Sequence, residues 1–76
     1  MNKVRRKQTE DIIARLQDLM ADIELLQEEE QEYYDNMPES FQYGEKGEKA
    51  EASIDAYEEA ISNIEEAISN LDTAIE

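Results

Sequence analysis

Carboxylates are the groups in this chain able to do chemistry. Glu51, Glu58, Glu65 and Asp72 recur every seventh residue, with Glu59 and Glu66 beside them, and Asp22, Glu24, Glu28, Glu29, Glu32 and Asp35 crowd a segment upstream. Carboxylates at such density can transfer protons, hold a metal ion, or present a row of negative charge. Proton transfer of the glycosidase kind needs two acids held across an apolar cleft. Calcium needs a Gly-turned ladder of the D-x-D-x-D-G kind, and dinuclear iron needs Glu-x-x-His on facing helices. Neither pattern occurs, and the absence of Cys and His removes thiolate nucleophiles, disulfides and the usual zinc and haem ligands. No enzyme, no metal and no cofactor is expected.

The third option fits the charge. The 76 residues carry 21 Asp and Glu against 7 Lys and Arg, a net −14. Beyond Leu16 there are 19 acidic and 2 basic residues. Spread along a helical rod about 42 Å long, those acids stand roughly 2.2 Å apart, close to the one charge per about 1.7 Å of duplex DNA. A solvated helix face is the plain alternative, but such faces mix signs and use Glu-to-Lys pairs four apart, which are nearly missing here. The natural complement is a basic protein surface. Nucleic acid and anionic membranes are not expected as direct partners, because both would repel the chain. Tyr33, Tyr34, Phe41 and Tyr43 stand among the acids and are candidate anchors, with capping of the core as their structural alternative.

These residues must be positioned by helices. Apolar positions Ile12, Leu16, Leu19, Ile23 and Leu26, continued by Glu30, Tyr33 and Met37, alternate in steps of four and three, a heptad seam with one acid in it. Ile13, Met20 and Tyr34 widen that stripe. Glu30 is expected to set register by reaching Lys46 or Lys49. Ala50, Ile54, Tyr57, Ile61, Ile64, Ile68, Leu71 and Ile75 give a second seam, and three consecutive heptads starting at Ile54, Ile61 and Ile68 share one pattern, with Ala60, Ala67 and Ala74 flanking. Small residues there let a neighbouring helix approach closely.

The expected fold class is all-α, an antiparallel two-helix hairpin: a basic tail over 1–7, then one domain over 8–76 with helices over about 8–36 and 45–75 and a loop over 37–44. Asn36 is expected to end the first helix in the left-handed conformation ahead of Pro38, and Gly44 to open the second with Glu45 and Glu48 against its positive dipole end. A hairpin shares only one face, so a homodimer forming a four-helix bundle is expected. No apolar run reaches the roughly 18 residues of a membrane span, and no signal peptide follows the basic start.

The run Gln31-Glu-Tyr-Tyr-Asp-Asn-Met-Pro-Glu-Ser-Phe-Gln42, with Gly44-Glu-Lys-Gly-Glu-Lys-Ala-Glu51 and the Ile/Leu-acidic-Ala heptads after it, resembles a group of small acidic helical-hairpin proteins of phages, prophages and mobile elements of Firmicutes. The match covers roughly residues 24 to 76, and its most specific part is the Asp35–Glu39 hinge. The resemblance implies an interaction role in the cytoplasm of a bacterial host and carries no catalytic residues. The resulting expectation is an inhibitor that blocks a nucleic-acid-binding or defence protein of the host by presenting a DNA-mimicking carboxylate surface. The alternative is a coiled-coil assembly adaptor acting through its apolar helix face.

Overall fold

The computed structural model describes the whole chain, Met1–Glu76, as three helices: α1 (Lys3–Asp35), α2 (Glu39–Gln42) and α3 (Glu45–Ala74). The two long helices pack against each other, and α2 packs on α3. The result is a rod of 58 × 15 × 12 Å. Cross-helix hydrogen bonds join residues 17 apart, Tyr34 to Glu51, and 31 apart, Gln27 to Glu58. Each step back along α1 is therefore matched by a step forward along α3.

Helix α1 starts earlier than the sequence suggests. The Asn2 side chain accepts the Arg5 backbone N–H at 2.7 Å, a cap that satisfies one orphan donor and lets Lys3 to Lys7 join the helix instead of forming a tail. At the other end Asn36 is right-handed, with φ −86° and ψ −2°, and no residue of the chain has positive φ. The helix stops without a left-handed cap because Pro38 offers no N–H and disfavours helical backbone just before it. The expected loop is also partly helical: the Phe41 and Gln42 N–H groups return to the Pro38 carbonyl, forming α2. Gly44 opens α3 from an extended conformation, and Glu45 and Glu48 occupy its first turn, where the dipole favours them.

The α3 seam lies where its periodicity puts it. Ala50 and Ile61 are buried, and Ile54, Tyr57, Ile64, Ile68, Leu71 and Ile75 are half-buried. In helix α1 one of the two seam rows is shifted by one residue from expectation. Leu16, Ile23, Glu30 and Met37 face α3, but their seam partners are Ile13, Met20, Gln27 and Tyr34, while Ile12, Leu19, Leu26 and Tyr33 stand 43–54% exposed. The difference is a rotation of about 50° around a helix of 3.6 residues per turn. α1 is apolar on three adjacent heptad positions, so burial alone does not choose between two seams. Polar bonds do: Gln27 Nε2 donates to the Ile54 carbonyl at 3.3 Å and to Glu58 at 2.8 Å, and Tyr34 donates to Glu51.

Glu30 makes no ion pair. Lys49 bonds Glu45 at 3.3 Å one turn away, and Lys46 lies 5.5 Å from the centre of the Phe41 ring. The seam residues that bond across the two helices are Gln27 and Tyr34.

Candidate acidic interaction face

The seam divides the rod into two flanks. Glu51, Glu58, Glu65 and Asp72 share the heptad position beside the α3 seam, spaced about 10.5 Å apart, and all four are exposed. Tyr34 and Gln27 reach across to Glu51 and Glu58, which places the corresponding positions of α1, Gln17, Glu24 and Gln31, along the same flank. One position further out, Glu28 and Asp35 of α1 and Glu48 and Asp55 of α3 extend it. Asp55 was not singled out by sequence spacing; it lines a shallow hollow with Gln31, Tyr34, Glu51 and Ile54. Its position four residues after Glu51 and three before Glu58 puts all three on one helical side.

The other acids expected at the site are dispersed. Asp22 and Glu29 sit on the opposite flank of α1, and Glu32, Glu59 and Glu66 point away from the seam on the outer faces of their helices. Sequence density alone does not sort these residues, because the assignment depends on which α1 positions face α3. The acidic flank consists of Glu24, Glu28, Asp35, Glu48, Glu51, Asp55, Glu58, Glu65 and Asp72, with none held by a cation. The only ion pairs are Lys7–Asp11 and Lys49–Glu45.

The aromatic group also divides. Tyr33 and Phe41 line an open hollow of about 420 Å³ with Asn36, Met37, Pro38 and Lys46 at the turn end. Tyr43 is 79% exposed. Tyr34 is occupied within the protein: its phenol donates to Glu51 Oε1 at 2.5 Å. That bond is the main cause holding its pKa above the usual 10.0, with partial desolvation and the Glu51 charge adding to it.

A raised pKa on a group that bonds as the neutral acid stabilises the fold below its unfolded value, and the contribution fades as pH climbs through the folded value. Tyr34→Phe is therefore expected to lower Tm at pH 8. The gap to wild type should close as the phenol ionises above pH 10. Melts followed by circular dichroism from pH 8 to 11 check this, and a gap that widens with pH contradicts it.

Chemically, this flank can attract and orient cationic groups. Its carboxylates lie in a line and not around a point, and no group of them is arranged to hold a metal ion. No helix is long and apolar enough to cross a membrane. Compared with known proteins, the chain matches no family model, no curated protein and no solved structure.

Proposed function

We propose that this chain is a small acidic interaction protein of phage type. It acts as a closed antiparallel hairpin, paired with a second copy, on a basic surface of a nucleic-acid-binding or defence protein in the bacterial cytoplasm. The observation that carries this reading is the flank just described: nine exposed carboxylates along one side of a helical rod, none neutralised by Lys or Arg. A groove built for phosphates is lined with cations at comparable spacing, and a helical rod presents carboxylates to it without needing a large core. Phe41 and Tyr43 at the turn end supply exposed aromatic contact area.

Charge-steered binding is fast and weakens steeply with salt. Replacing Glu24, Glu28 and Glu65 with Gln and Asp72 with Asn spares Glu51 and Glu58, the acceptors of the bonds across the seam, and removes four charges from the flank. Capture of host proteins from bacterial lysate by this variant is expected to fall at least tenfold at low salt relative to wild type. Quantitative mass spectrometry of the two captures is the check, and equal capture would falsify the carboxylate reading.

A coiled-coil adaptor is the second reading, favoured by the exposed Ile12, Leu19, Leu26 and Tyr33. The same four-site variant separates the two, because an adaptor working through the apolar flank keeps its partner when those charges are gone.

A further inference from the structure

The flank opposite the acidic face is two helices wide, with an apolar row along α1 and with Asp22 and Glu29 at its outer edge. Ile12, Leu19, Leu26 and Tyr33 run along α1 at intervals of seven, each 43–54% exposed. The equivalent flanking position of α3 carries Ser53, Ala60, Ala67 and Ala74, small residues that leave the α1 side chains standing above a shallow floor. We propose that a second copy of this chain covers this flank, face to face and with its ends reversed, so that α1 lies along α1 of the partner copy. This rests on the proposed pairing with a second copy, and adds the face and the orientation that the pairing uses.

Area argues for the occupant. The chain exposes 5752 Å², whereas a folded monomer of 8.8 kDa is expected to expose about 4,800 Å². The excess is close to the roughly 800 Å² per partner of a standard interface. Only Gly47, Ala50 and Ile61 are buried in the single chain, so most of its apolar seam is still half in water.

Charge argues for the orientation. The half of the rod nearest the turn, residues 20–59, holds 14 acidic and 2 basic residues, a net −12. The opposite half, residues 1–19 and 60–76, holds 7 acidic and 5 basic residues, a net −2. Two copies with their turns together set −12 against −12, whereas reversed copies set each −12 against −2. Helix α1 itself has basic residues near its positive dipole end and acids near its negative end, a layout that costs an isolated helix. A reversed α1 is its complement.

The apolar spacing suits the same arrangement. Reversed about the point between Asp22 and Ile23, Leu19 comes level with Leu26 of the other copy and Ile12 with Tyr33. Arg15 then comes level with the Glu28–Glu30 cluster. The acidic flanks stay on the outside of the pair.

Sedimentation equilibrium over about 1–100 µM is expected to give twice the chain's 8.8 kDa, and Leu19→Gln with Leu26→Gln is expected to shift dissociation at least 100-fold toward monomer. The chain has no Cys, so Gln8→Cys provides a single labelling site. Spin labels there are expected about 44 Å apart along the axis of a reversed pair, at 1.5 Å per residue. A labelled Asp22→Cys pair should read under about 20 Å, since position 22 lies next to the symmetry axis. A monomer throughout the concentration range overturns the proposal and leaves the flank to a different protein. Labels at position 8 closer than about 25 Å overturn the reversed orientation. The four-site acid variant should still dimerise, so failure of the carboxylate reading and failure of this one are told apart.

Discussion

Ile61→Asp is expected to leave the chain unfolded at 25 °C. Ile61 is 5% exposed, the most deeply buried of the large apolar side chains, at mid-length of α3 where Ile23 of α1 comes level with it. The substitution removes about 1.5 to 3 kcal/mol of apolar burial. It also places a carboxylate in the seam with no cation to meet it, a further cost of several kcal/mol unless the helices part. A chain of this size has about 3 to 5 kcal/mol from one core, so the sum exceeds the stability. Ile61→Ala, which adds no charge, should cost about 2 to 5 kcal/mol and shift the midpoint without abolishing folding at low temperature. Leu25→Asp is the control, because Leu25 is 56% exposed on the outer face of α1. Circular dichroism at 222 nm with urea titration reads all three. A cooperative, wild-type-like transition for Ile61→Asp would mean that the α3 seam is misplaced.

Gly47→Ala is the second large effect, and it separates helix propensity from packing. In an exposed helix interior the change from Gly to Ala gains about 1 kcal/mol. Here Gly47 is buried in the first turn of α3 under α2. A Cβ built on it overlaps the Gln42 backbone, 2.5 Å from the carbonyl carbon and 2.6 Å from Cα. Backbone cannot rotate aside as a long side chain can, so α2 must move. Overpacking of this kind costs about 1 to 3 kcal/mol, and displacement of α2 also threatens the bond from Gln42 Nε2 to the Tyr34 carbonyl. The net loss is expected to be about 2 kcal/mol, which at this chain length lowers Tm by roughly 10 °C. Gly44→Ala is the comparison, because its Cβ meets only the Phe41 and Ser40 carbonyl oxygens at 3.6 and 3.7 Å, and it should cost only the difference between Gly and Ala at the cap of α3, about 0.5 to 1 kcal/mol. A Gly47→Ala protein melting at or above wild type would show that α2 does not rest on α3 as described.

Sequence periodicity carried the all-helical class and the whole α3 seam, because α3 is apolar on two heptad positions and has small or acidic residues on the flanks. In α1 the same reasoning reached the right helix and one of its two seam rows, Leu16, Ile23, Glu30 and Met37. Apolar residues fill three adjacent heptad positions there, and the choice between Leu19 and Met20, or Tyr33 and Tyr34, rests on where Gln27 and Tyr34 find acceptors on α3. Such pairings exist only once two helices are side by side. That rotation also explains how the carboxylates sort: Glu24 and Glu28 join the α3 stripe, while Asp22 and Glu29 go to the far flank. The Asn2 cap carried α1 to Lys3. Its side chain bonds three residues ahead, a local signal the sequence contained but which the run of basic residues after it obscured. The α2 turn and the buried Gly47 depend on how Pro38 to Gln42 lie against α3, a tertiary relation with no periodic trace.

An acidic flank that occupies a surface built for phosphates, as proposed, competes with duplex DNA for that surface. The protein would be immobilised, exposed to bacterial lysate at low salt, and washed in parallel with buffer, with high salt, and with excess duplex DNA. Captured nucleases, polymerases or other DNA-binding proteins that are released by both salt and duplex, and that the four-site acid variant fails to hold, are the predicted result. Partners that stay bound through salt and duplex alike, and that the acid variant holds equally well, would contradict it.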